Sequence, residues 1–170
     1  RRIVRYKAAA CAVERPLHLG AALTGRLEHH RDGLSRFGLA VGEAFQLRND
    51  LLGVFGDPVA TGKPQGDDLR EGKQTWLVHL TRSWAAQRRD AVALALLGRL
   101  GRTELALADA AAIRSLMIES GAVDTLEARI AECLDDAVTA LDQLDLAGDA
   151  TAGLATLARR CGGVDSADES

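Results

Sequence analysis

The chain has 170 residues, 47% of them hydrophobic but only 4% aromatic, with three prolines and a formal net charge of −3. That length suits about one domain and can bury a core without covalent staples. The lack of aromatic and β-branched runs counts against a β-sandwich, and a small, mixed charge with no basic stripe gives no reason to expect nucleic acid.

Residues 1–14 contain no breaker and alternate basic with apolar positions, so they read as the end of a helix stopped near Pro16. Leu17, Leu19, Ala22 and Leu23 carry an apolar face toward Glu28-His29-His30-Arg31-Asp32, a charged cluster that reads as a solvated turn. Asp32 can cap a helix from about Gly33 to Phe55, with Leu34, Phe37, Val41, Ala44, Phe45, Leu51 and Leu52 as its apolar face. Gly56-Asp57-Pro58 ends that helix, and the glycines and prolines of 56–72 read as loop. A further helix begins at Lys73 and runs through Trp76, Leu77, Leu80 and Trp84. Others are expected at about 87–98, 103–118 and 122–143, punctuated by Gly101 and Gly121. A shorter helix near 151–161 precedes a polar tail, 165–170, expected to fray. No repeat of fixed period and no alternating strand interrupts this pattern. The fold class is all-α.

Cys11, Cys133 and Cys161 are odd in number, far apart and without metal-ligand spacing; they read as reduced thiols of an intracellular protein. No apolar run reaches membrane-spanning length, and none of the given residues reads as a signal peptide. The chain opens at Arg1, without a methionine and already inside a helical pattern, which suits a fragment or a cleavage product as well as a whole chain.

The chemistry concentrates in residues 45–73. On a helix, Gln46, Asp50 and Gly53 share one face, with Asn49 beside them. Magnesium takes one or two carboxylates, keeps several waters and completes its octahedron with substrate phosphates. Asp50 can supply such a carboxylate. Asn49 offers only a neutral carbonyl oxygen, which holds metal more weakly and cannot act as a base. A polar face turned to solvent would account for the same residues.

In the loop, Lys63 and Lys73 can neutralise a diphosphate, and Asp67 or Asp68 can orient a lysine or a metal-bound water. A solvated connector is the plainer alternative. A Walker-type phosphate loop fails on spacing, because Gly56 and Gly62 stand too far apart and Lys63 precedes Pro64. Lys7 in isolation is a surface lysine. His29-His30 lacks the spacing of a metal pair, and no nucleophile elbow or Cys/His dyad is visible.

Taken together, Phe45-Gln46, Asn49-Asp50-Leu51-Leu52-Gly53, Phe55-Gly56-Asp57-Pro58, Thr61-Gly62-Lys63 and Gly66-Asp67-Asp68-Leu69-Arg70-Glu71-Gly72-Lys73-Gln74-Thr75 resemble the second aspartate-rich region and following loop of the trans-isoprenyl diphosphate synthases. Upstream, Arg5-Tyr6-Lys7 and Val13-Glu14-Arg15-Pro16-Leu17 are similar to that family's lysine-bearing helix, in the wording of actinobacterial long-chain members. Downstream, Ser120-Gly121-Ala122 and the helix after it fit its C-terminal helices. The resemblance implies the C-terminal part of an isoprenoid-synthase helical bundle over 1–164.

It also implies a prenyltransferase that condenses isopentenyl diphosphate with an allylic diphosphate, uses Mg2+ and works as a cytoplasmic homodimer. Carried over by position, Lys7, Lys63 and Lys73 would bind diphosphate, and Gln46 would lie along the path of the allylic substrate. Lys7 and Gln46 would be the catalytic pair, while Asp50, Asn49 and Asp68 would face the metal.

Three departures stand against the family pattern. Asn49 replaces the first aspartate of Asp-Asp-x-x-Asp and Gly53 the last, and Ala8 stands where a hydroxyl residue normally follows the lysine. The family's other aspartate-rich motif would lie before Arg1. Two readings therefore compete with an active synthase: a degenerate paralogue or partner subunit of one, and a helical interaction domain with no small-molecule site.

Overall fold

The computed structural model describes residues 12–62, 64–101 and 105–163. Among them there is no strand, and nine helices follow one another: α1 (Arg15–Leu23), α2 (Leu27–Phe55), α3 (Pro58–Thr61), α4 (Asp67–Arg70), α5 (Trp76–Gln87), α6 (Ala91–Leu97), α7 (Leu107–Glu119), α8 (Ala122–Asp142) and α9 (Gly148–Gly162). The chain is all-α, as its composition requires. No helix among the described residues is long and apolar enough to cross a membrane.

Several expected boundaries move, each for a local reason. Pro16 does not stop a helix: residues 12–14 are π-helical and run straight into α1, which carries Pro16 in its first turn. The charged cluster 28–32 is no turn. It is the first part of α2, with Glu28 and Arg31 paired at 2.9 Å one turn apart, so Asp32 lies inside the helix rather than capping it. His30 falls on the same face as Leu34 and Phe37 and is buried with them.

The stretch 56–72 is not all loop either. Asp57 Oδ1 accepts from the Val59 N–H at 2.9 Å and Pro58 opens the single turn of α3, while α4 makes a second single turn. The next helix starts at Trp76 rather than Lys73, because the Thr75 hydroxyl caps it through the Val78 N–H. Asp90 caps α6 by accepting from two backbone N–H groups, which sets that helix apart from α5. The polar tail lies outside the described residues.

The chain divides into two compact units, Arg1–Arg48 with Ala128–Ser170, and Asn49–Glu127. In the first, Phe37 and Val41 of α2 pack with Ala137, Ala140 and Leu141 of α8 and Ala158 of α9. Small residues permit the close approach: a β-carbon on Gly38 would stand 2.7 Å from the Glu14 backbone. Arg48 Nε donates to the Gly162 carbonyl at 2.8 Å, placing a cation at the C-terminus of α9 where it is favoured.

The second unit buries Leu51, Val54, Leu69, Leu77, Val78, Leu97, Ile113, Met117 and Leu126. Each such side chain contributes about 1.5–3 kcal/mol relative to exposure. Along α2 the buried face is Leu34, Phe37, Val41, Ala44, Leu47, Leu51 and Val54, whereas Phe45 and Leu52 point outward at 40% and 43% exposure. Those two were expected in the core. They lie next to the stripe, not on it.

Candidate functional site

The end of α2, the α3–α4 segment and the strap to α5 all belong to the second unit, and they position the residues that the spacing singled out. Asp50 sits on α2 at 7% exposure, beside half-buried Asn49 and one turn before Gly53. Gln46 stands one turn earlier on the same helix but is counted in the first unit. Lys7, Ala8 and Lys63 lie outside the described residues.

The α4 turn looks too short to matter, yet it sets the geometry. Gly66, at φ +74°, reverses the chain into it, and the turn then points both Asp68 and Leu69 inward. Leu69 is 1% exposed and anchors the segment in the core. Gly72, at φ +67°, reverses the chain again, so that Lys73 returns over Asp68. The Lys73 N–H donates to the Asp68 carbonyl at 3.0 Å, and its ammonium donates to Asp68 Oδ1. Glu71 Oε2 lies 3.2 Å from the same nitrogen. The strap is tied further by Gln74, which donates to the Gly72 carbonyl at 3.0 Å and accepts from Arg82 at 3.1 Å.

The hydrogen bond to Asp68 holds the Lys73 ammonium above its ordinary pKa, aided by Glu71 and opposed by partial burial. The ammonium therefore stays charged through the neutral range, as a partner for anions must. Glu71 was not singled out in the sequence, although its position two residues before Lys73 permits the contact.

The residues that could hold a metal offer hard oxygen: the carboxylates of Asp50 and Asp68 and the amide oxygen of Asn49. Among the described residues no three His, Cys, Asp or Glu side chains cluster as a cage. That is compatible with magnesium, which is held by one or two carboxylates plus substrate phosphates rather than by an all-protein cage. The space over Gly53 adds a second observation: a β-carbon there would collide with the Asp68 carboxylate, lying 2.9 Å from Oδ1 and closer still to Oδ2. The cradle is filled by a carboxylate from another segment.

A cleft of about 550 Å³ in the first unit was not anticipated from the sequence. Arg36, Glu43, Arg129, Cys133 and Asp136 line it, and none of the expected site residues does. Arg129 Nε donates to Glu43 at 2.9 Å and its Nη1 to Glu132 at 2.9 Å, so Arg129 and Glu43 of this cleft are paired with each other.

Comparison with known proteins gives three findings. The polyprenyl synthetase family model matches residues 1–116. A geranylfarnesyl diphosphate synthase from Aeropyrum pernix is 37% identical over 127 residues, which are 75% of this chain and 37% of that protein. A geranylgeranyl pyrophosphate synthase from Corynebacterium glutamicum, crystallised with isoprenyl diphosphate and magnesium, superposes with a TM-score of 0.89 at 39% identity, covering 95% of this chain and 45% of that one. The chain thus spans less than half the length of these proteins.

Proposed function

Because this chain belongs to the polyprenyl synthetase family, we propose that it carries the second metal-binding motif and diphosphate strap of a trans-prenyltransferase joining isopentenyl diphosphate to an allylic diphosphate. The observation that carries this reading is the Asp68–Lys73 pair set against the motif Asn49-Asp50-Leu51-Leu52-Gly53. It supplies buried acid for a cation and a charged ammonium for a diphosphate within one short strap.

In the reaction so assigned, the allylic C–O bond breaks and its electron pair leaves with the diphosphate. The double bond of isopentenyl diphosphate attacks the allylic cation to form the new C–C bond, and loss of a neighbouring proton restores an alkene. Magnesium, when bound, supplies positive charge that stabilises the departing diphosphate. Asp50 would hold it, with Asn49 as a weaker oxygen donor and Asp68 facing the same turn. Lys73, with Lys63 and Lys7 from outside the described residues, would hold the diphosphate oxygens and stabilise the charge that builds on them. Gln46 would lie along the allylic chain. The product is geranylgeranyl-type or longer, and the enzyme a cytoplasmic homodimer.

The test is direct. The native full-length gene product, given Mg2+, isopentenyl diphosphate and an allylic diphosphate, should release pyrophosphate and a longer prenyl diphosphate. No turnover under those conditions overturns the assignment. Asn49 favours a second reading, a non-catalytic partner of a complete synthase, because it removes a carboxylate at the motif's first position. That reading expects co-purification with such a synthase and no activity from Asn49→Asp.

A further inference from the structure

The Lys73 ammonium has three N–H donors and meets two carboxylates of unequal standing. Asp68 accepts from it through a side chain only 9% exposed, in the turn anchored by buried Leu69. Glu71 Oε2 stands 3.2 Å from the same nitrogen, on a side chain that is 53% exposed. The backbone under Glu71 is fixed. Its N–H donates to the Asp67 carbonyl at 2.9 Å, and the Gly72 N–H donates to the Leu69 carbonyl at 3.2 Å. Rotation of the Glu71 side chain therefore breaks its contact with Lys73 and leaves the strap as it is. With Glu71 in place, one ammonium stands between two carboxylates and the group is net negative, which opposes an incoming anion.

A diphosphate that draws on Lys73 must displace one of these carboxylates or bind in the field of both. Displacing Asp68 would leave a buried carboxylate without its cation, which is costly. Displacing Glu71 releases an exposed carboxylate to water, and an exposed pair of this kind is weak. Glu71 is the partner that yields. Resting on the function proposed above, we propose that Glu71 is a built-in competitor for the diphosphate: it occupies a donor of Lys73 between turnovers, turns out to water as a diphosphate arrives, and retakes the ammonium as pyrophosphate leaves. The binding-competent strap is the one with Glu71 turned away, so the apparent affinity is scaled down by the fraction of molecules in that state. Weaker holding of pyrophosphate favours its release, a step that limits many enzymes.

The experiment titrates inorganic pyrophosphate, at saturating Mg2+, into the native full-length gene product and its variants by calorimetry, with melting curves recorded alongside. Glu71→Gln keeps the size and removes the charge, so pyrophosphate should bind about 3–10-fold more tightly. Product inhibition by pyrophosphate should strengthen by a similar factor, a readout that a merely structural role does not move. Glu71→Asp keeps the charge but draws the carboxylate back by one methylene, and should tighten binding by a smaller factor. In a Lys73→Gln background, Glu71→Gln should change affinity by less than about twofold, because the competition needs the ammonium. Unchanged or weaker pyrophosphate binding by Glu71→Gln overturns the proposal. So does an equal gain in the Lys73→Gln background, which would make Glu71 a distant charge and not a competitor. Should that background not fold, Glu71→Asp decides, and wild-type affinity there overturns the proposal. If the wild type binds no Mg2+–pyrophosphate, the assigned function fails and takes the competitor with it. If it binds and Glu71→Gln does not tighten it, only the competitor fails.

Discussion

Gly72 lies against Gly101, backbone on backbone. A β-carbon on Gly72 would stand 2.9 Å from the Gly101 nitrogen, and the Gly101 N–H donates to the Leu69 carbonyl at 3.2 Å. Gly72 also holds φ at +67°, where a side chain is strained. This contact fixes the turn that returns Lys73 to Asp68. Gly72→Ala should therefore cost about 2–4 kcal/mol, strain and steric terms together. Gly121 is the matched control, with φ +69° and nothing within 4 Å of where its β-carbon would be. Gly121→Ala should cost the strain alone, about 1–2 kcal/mol. Equal losses of denaturant stability in the two variants would show that the Gly101 contact contributes nothing.

His30 is 3% exposed, and among the described residues nothing hydrogen-bonds its Nε2. A buried polar atom without a partner costs about 1–3 kcal/mol. His30→Leu extends the apolar face of Leu34 and Phe37 and should leave stability unchanged or raise it by up to about 2 kcal/mol. The check is the urea midpoint at constant slope, and a clear drop would mean the imidazole has a role that its contacts do not reveal.

The helical stripes were legible because burial and period coincide: Leu34, Phe37, Val41, Ala44 and Leu51 recur at helical spacing and are buried. The misread places share a cause. Charge at Glu28–Asp32 reports exposure, not backbone conformation, and an unbroken charged run is as good a helix as a turn. Proline at 16 and 58 reports a first turn as readily as a last one, and only the neighbours decide which. Spacing also singled out Asn49, Asp50, Asp68 and Lys73. It could not reveal that Asp68 sits over Gly53, because that contact joins residues fifteen apart through a chain reversal at Gly66. Glu43 and Arg129 are farther still, and nothing in the local pattern of either announces the other.

Cys133, in the first unit, supplies a pH test. Burial, seconded by the negative charge of Glu43, pushes its thiol up to about 11 from an ordinary value of 9.0. The folded state thus binds the thiol proton more tightly than the unfolded chain does. The sign follows: this contribution is fully present below pH 9 and is lost as the pH rises toward 11. Its size is on the order of 2–3 kcal/mol. Chemical denaturation across that range should show the decline, and Cys133→Ala should flatten it. At pH 8 the native thiol, 1% exposed, should resist iodoacetamide and react only on unfolding. Fast labelling of the folded protein would contradict both statements.

Asn49 decides how much of the metal site remains. It is half-buried on α2 beside Asp50, so an aspartate there would add a second negative charge next to the first. Two neighbouring carboxylates repel when no cation is present, and they bind one more tightly when it is. Asn49→Asp should therefore lower the melting temperature slightly in chelator. It should raise Mg2+ affinity by roughly tenfold, equivalent to about 1.4 kcal/mol. Asp50→Asn should do the opposite, abolishing the Mg2+-dependent rise in melting temperature, since only a ligand that binds the native state produces such a rise. If the native protein is an active synthase, Asn49→Asp should shift its Mg2+ requirement downward with turnover at saturating metal little changed. If it is a silent partner, the same substitution should tighten metal binding and leave turnover at background. Should Asn49→Asp leave Mg2+ affinity unaltered, position 49 would not face the metal, and Asp50 would have to be paired with another donor.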